Sequence, residues 1–262
     1  MTDSISAATC AIYAVFAIPV LYLLVRHGRF GLLGWLFLFL FCTIRIVGGA
    51  LAVKDHSSIA ANTISSVGLS PLLLATAGLL HEAREYRIQH IDQKLEWVAV
   101  LAYHMLVVAG VALTAAGSVK LQQHQAPTDK AENIVKAGIS ILVVAWGVLV
   151  GWAGLSFLAP RGRTSQLAKA GTILLTAIAF SLVFIGVRVF YSLVALCTQK
   201  RSLNPITGSL TIRVVLSFLP EIIVTVVYIL AGCQTQGAAH LVNDREEAHS
   251  SDSPKRRAEA WI

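Results

Sequence analysis

AKAGTILLTAIAFSLVFIGVRVFYSLVALC, residues 168–197, runs for thirty residues with two formal charges, Lys169 at its edge and Arg188 inside. A helix needs about 20 mainly apolar residues to cross about 30 Å of hydrocarbon. This stretch exceeds that need, so it is expected to tilt or to protrude. Working outward, six further stretches qualify: 6–25, 30–53, 60–80, 97–117, 135–158 and 209–232. The chain as a whole agrees. It is 56% hydrophobic and 13% charged, with a mean hydropathy of +0.70 over 262 residues. Soluble domains carry about 25% charged residues. Half that share cannot coat a globule in water, which excludes a soluble enzyme, and a disordered chain would need low hydrophobicity. The expected fold is all-α, a polytopic bundle of seven transmembrane helices over residues 1–232. A polar, largely disordered cytoplasmic tail follows over 233–262.

The third stretch is the least apolar of the seven, with Ser65, Ser66 and Ser70 ahead of Pro71. It reads as a helix that needs protein neighbours rather than lipid around it. The breaks between spans are polar and short, among them a tight turn at Arg26–Arg29 and the charged connector HEAREYRIQHIDQKLE over 81–96. Connectors one, three and five and the tail hold twelve Lys and Arg, against five on the other side. The positive-inside bias then places the N-terminus outside and the C-terminus in the cytoplasm. The first span is too long for a signal-peptide core and no small-residue cleavage site follows it, so it is expected to act as an uncleaved anchor. Net charge is +7. Loop cations facing an anionic leaflet account for the surplus, and the expected partner is the lipid bilayer, with no nucleic acid. Plasma membrane and endomembrane are not distinguished.

Charges inside spans cost at least about 2.5–3.5 kcal/mol each, so each needs a partner or a role. Arg45 lies in the second span, Arg188 in the sixth and Glu221 in the seventh. Counted from mid-span at 1.5 Å per residue, the three fall within about 8 Å of one another in depth. Two guanidiniums and one carboxylate can meet there and retain one positive charge, which invites an anionic or carbonyl-bearing ligand. The competing reading is a buried ion pair that fixes helix register. Tyr191, at i+3 from Arg188, puts a phenol and a cation on one helix face. Tyr228, two turns past Glu221, and His104 in the fourth span complete the candidate ligand-binding set. Pro220 and Pro71 each remove a backbone donor inside a span and are expected to kink it. Gly48–Gly49 after Arg45 would either open space or permit close helix packing.

Other chemistry is sparse. HEAREYR is not a zinc-protease HExxH, because the fifth position is Glu85. It reads as an interfacial helix end of mixed charge. No metal set, P-loop, dinucleotide fingerprint, GxSxG or paired-acid magnesium motif occurs, so no cofactor is expected. Cys10, Cys42, Cys197 and Cys233 read as small buried hydrophobes. Cys10 and Cys197 fall on the same side, which leaves a disulfide between them open.

The segments CTIRIVGGAL at 42–51, GLSPLLLATAGLL at 68–80, FIGVRVFYSL at 184–193 and LPEIIVTVVYILAG at 219–232 resemble fungal seven-span integral membrane proteins of unassigned function. More distantly, the chain is similar to fungal lipid-translocating-exporter-like seven-span proteins. Their sixth span carries an arginine-aromatic stretch and their seventh a deep acid, although the second arginine-acid element after the aromatic is missing here. The resemblance extends in size and topology to seven-span terpenoid cyclases of secondary-metabolite clusters, whose paired acids are absent from this chain. Three functions follow as expectations. The first is a membrane protein that binds or moves a small amphiphilic or lipid-like molecule in a polar pocket. The second is an intramembrane cyclase or isomerase of secondary metabolism, acting on a terpenoid or polyketide with Glu221 as catalytic acid. The third is a seven-span receptor.

Overall fold

The computed structural model describes residues 2–54, 64, 68–88, 92–123, 128–160, 165–198 and 209–238. Among these every regular element is a helix: α1 Thr2–Arg26, α2 Gly28–Lys54, α3 Ser70–Arg87, α4 Gln93–Gln123, α5 Thr128–Leu158, α6 Ser165–Thr198 and α7 over 210–238. All but α3 are long and apolar enough to cross a membrane. Their outer faces carry Val25, Ile18, Leu101, Met105, Leu155 and Val183, each more than 60% exposed. Backbone groups in hydrocarbon must be satisfied within the segment, and helices do so. A belt of exposed aliphatics is what a lipid-facing surface requires.

The expected turn after the first span is present. Gly28 has φ 61° and the His27 amide bonds back to the Leu23 carbonyl at 2.9 Å. A left-handed residue ends a helix cheaply only when it lacks a Cβ. The chain thus reverses, and α1 packs along α2.

α3 is the axis of the bundle. Every residue from Ser70 to Arg87 is buried except Arg84. It packs on α2, α4, α5 and α6, and Thr76 reaches Tyr228 of α7. A helix that is covered all round sits inside a protein. The expectation that this segment needs neighbours rather than lipid fits that position, while the part of it over 60–63 and 65–67 lies outside the described residues. At 1.5 Å per residue its 18 residues rise about 27 Å. Small residues let the backbones meet. A Cβ on Gly78 would stand 2.4 Å from the Gly34 nitrogen and 2.6 Å from its Cα.

Several local expectations need correction. α3 continues seven residues past Leu80, so HEAREYR is a helix end, as read from its charges, and not part of a connector; all of it but Arg84 is buried. Pro71 stands in the first turn of α3, where a missing amide costs nothing, and does not kink a span. Gly48 and Gly49 make close packing rather than space: Cβ atoms there would lie 2.8 Å from Ile64 Cγ2 and from the Ser6 carbonyl. Before Pro220, α7 does not simply bend. Val214–Phe218 form a π-helical turn, closed by the Leu219 amide on the Val214 carbonyl. Such turns place one extra residue in the helix. α7 also runs to Ala238, six residues beyond the expected end of the span; the polar tail expected after it lies outside the described residues beyond that point. Cys10, Cys42 and Cys233 are free thiols, so Cys10 forms no disulfide; the side chain of Cys197 lies outside the description.

Candidate functional site

Three helices deliver the deep charges to one point. Glu221 follows directly on the π-helical turn and Pro220. Its Oε1 accepts from Arg45 Nη2 of α2, and from Arg188 Nε of α6 at 3.1 Å. Glu221 is 2% exposed, Arg188 3%, and the Arg45 side chain 11%. Two full cations therefore share one oxygen of one anion in a nearly dry setting, leaving a surplus of one positive charge. Arg188 Nη1 also donates to Ser192 Oγ. Its Cζ lies 5.9 Å from the ring centroid of Tyr191, itself buried. The i, i+3 and i, i+4 relations read from VRVFYS are thus realised.

Arg45 is held from both sides. Its Cζ lies 5.5 Å from the Phe41 centroid, while Gly68 faces its guanidinium so closely that a Cβ there would be 2.8 Å from Cζ. Its Nε is buried without a hydrogen-bond partner among the described residues. The sequence reading missed Tyr13. Its ring packs edge-on against Phe41 at 5.3 Å, and its hydroxyl lies within electrostatic reach of Glu221, Arg45 and Arg188. That hydroxyl is fully buried and has no hydrogen-bond partner among the described residues. Buried hydroxyls nearly always find one. Nothing in the primary structure distinguishes Tyr13 from a tyrosine of an interfacial belt.

Two of the candidates stand elsewhere. His104 bonds the Val100 carbonyl of its own helix at 2.7 Å and leans on Phe37 at 5.1 Å. Phe37 is eight residues, about 12 Å along α2, from Arg45. The Tyr228 hydroxyl bonds Thr76 Oγ1 at 2.9 Å, tying α7 to α3. Both are inward-facing, which their spans made legible, but the depth count alone did not separate them from the charge cluster.

A second polar centre gathers at the other end of α2. His27 Nδ1 meets Glu82 Oε1 at 2.5 Å and its Nε2 meets the Gly232 carbonyl at 3.0 Å. Trp35 Nε1 donates to Glu82 Oε2 at 3.1 Å and the Tyr86 hydroxyl to Oε1 at 2.8 Å. Near it, Arg84 grips Glu96 with two bonds, 2.7 and 3.0 Å, and Ser156 Oγ at 2.9 Å. Arg87 donates to the carbonyls of Ser156 and Phe157 at the C-terminal end of α5, where a cation meets the negative pole of the helix. The ends of α1, α3, α5 and α7 are thereby tied together. Among the described residues no group of three His, Cys, Asp or Glu is placed to hold a metal ion.

A family model described as a domain of unknown function (DUF7702) matches residues 1–238, so the chain belongs to that family. No curated protein matches it, and no solved structure does.

Proposed function

We propose that this multi-pass membrane protein binds, and shelters or moves, a small amphiphilic molecule whose anionic head meets Arg45 and Arg188. One observation carries the reading: two buried guanidiniums converge on a single carboxylate oxygen, so the cluster keeps a cationic surplus that no described residue neutralises. The unpartnered Tyr13 hydroxyl beside it supplies a neutral donor of the kind a head group uses. The apolar surroundings suit a tail. A buried charge without compensation is costly, and a bound anion would remove that cost. The catalytic-acid role for Glu221 has less support, because a carboxylate already accepting from two guanidiniums is engaged as an acceptor rather than poised as a proton donor.

The test uses the purified full chain in neutral detergent with oleate as probe and methyl oleate as its uncharged control. Oleate is expected to raise the thermal unfolding midpoint progressively with the logarithm of its concentration above its dissociation constant, and methyl oleate to leave it unchanged. Arg188→Met removes the surplus charge and should abolish the oleate response. Equal responses to acid and ester, or an undiminished oleate response in the variant, would overturn the proposal.

A further inference from the structure

The His27–Glu82 centre lies outside the site just described, about 25 Å away along α2. His27, Trp35, Glu82 and Tyr86 are all fully buried. The hydrogen-bond partners bear on where the protons sit. A backbone carbonyl can only accept, so the Gly232 carbonyl requires a proton on His27 Nε2. Trp35 Nε1 is a donor only, and it faces Glu82 Oε2; the Tyr86 hydroxyl donates to Oε1. A carboxyl group taking two outside donors is served best as a carboxylate, which leaves the third proton on His27 Nδ1. Imidazolium and carboxylate then neutralise each other, and every polar atom of the set is satisfied.

We infer that His27 and Glu82 form a built-in proton-binding site whose occupancy holds the α1–α2 turn, α3 and α7 together at this end of the bundle. Removing the proton leaves a buried carboxylate without its counter-charge and an imidazole nitrogen lone pair facing it. The groups around His27 offer no substitute. α3 presents Glu82 and Tyr86, and α2 presents Trp35. α7 presents the Gly232 carbonyl, which Thr235 also approaches at 3.4 Å. Of the neighbouring cations, Arg87 is turned to the end of α5 and Arg84 to Glu96. Arg26, next to His27 in sequence, makes no ion pair with Glu82 among the described residues. Burial pulls the His27 imidazole toward its neutral form, but the Glu82 bond and charge and the Gly232 carbonyl outweigh it, so its pKa is raised from the ordinary value near 6.5.

The sign follows. With a raised value in the folded state, the stabilisation is complete below about pH 6.5 and is lost as pH climbs through the folded-state value. The experiment is nitrogen-15 NMR of histidine-labelled protein in detergent, with His27→Gln for assignment, alongside unfolding midpoints from pH 6 to 9. Two ring N–H signals from His27 should persist above pH 6.5. The wild-type midpoint should fall with rising pH, and this slope should flatten in both His27→Gln and Glu82→Gln. A neutral His27 already at pH 6.5, or a slope identical in wild type and His27→Gln, would overturn the inference and leave a merely register-setting contact.

Discussion

Deleting the acid of the deep cluster should hurt far more than deleting one of its bases. Glu221→Gln leaves Arg45 and Arg188 facing each other with only a neutral amide between them. Two donors on one oxygen stand roughly 5 Å apart, and like charges at that separation repel by about 3 kcal/mol at an effective dielectric of 20. Measured losses on breaking a buried pair from one side, about 3–5 kcal/mol, agree. Arg188→Met acts in the opposite sense on charge. It loses hydrogen bonds worth about 1–3 kcal/mol, yet leaves one Arg45–Glu221 pair that is neutral overall and relieves the repulsion between the cations. The net cost should stay within about 1–2 kcal/mol. The assay is reversible unfolding in mixed micelles of dodecyl maltoside and dodecyl sulfate, followed by tryptophan fluorescence. If Arg188→Met proves as destabilising as Glu221→Gln, or more so, the cluster does not carry a surplus cation and the reasoning behind the proposed ligand falls with it.

Further outcomes are open to the same assay. Gly78→Ala should cost at least about 1–3 kcal/mol, because the new methyl meets the Gly34 backbone at 2.4 Å, while Gly147→Ala, with nothing within 4 Å, should be near neutral. Arg87→Met should destabilise by about 1–2 kcal/mol through the uncapped carbonyls of Ser156 and Phe157, and hydrogen exchange should quicken at the C-terminal turn of α5. Tyr228→Phe should cost only about 0.5–1.5 kcal/mol, the worth of its bond to Thr76, and should leave any oleate response intact.

The membrane helices were legible because length and apolarity are local properties. The meeting of Arg45, Arg188 and Glu221 was legible too, since depth along a span can be counted residue by residue. Which residues complete that meeting was not. Tyr13 and Phe41 belong to α1 and α2, and their approach depends on helix rotation, which apolar runs with no polar face do not encode. The helix end HEAREYR was legible, but its burial was not, because its partners, His27 at 55 residues' separation from Glu82 and Ser156 at 72 from Arg84, are invisible to any local window. Pro220 signalled a disturbance in α7, but a proline specifies a missing donor and not how the preceding turn accommodates it.

The central position of α3 bears on how the protein is made. A segment that ends in two glutamates, two arginines and a histidine gains little by partitioning into hydrocarbon by itself. It becomes a comfortable tenant only once Trp35, Glu96 and Ser156 are in place to receive those groups. Glu96 and Ser156 belong to α4 and α5, which follow α3 in the chain. Integration of the third helix is therefore expected to wait for α4 and α5, and a ribosome-bound chain halted before α5 emerges should still expose this helix to protease or to a water-soluble thiol reagent at an engineered cysteine.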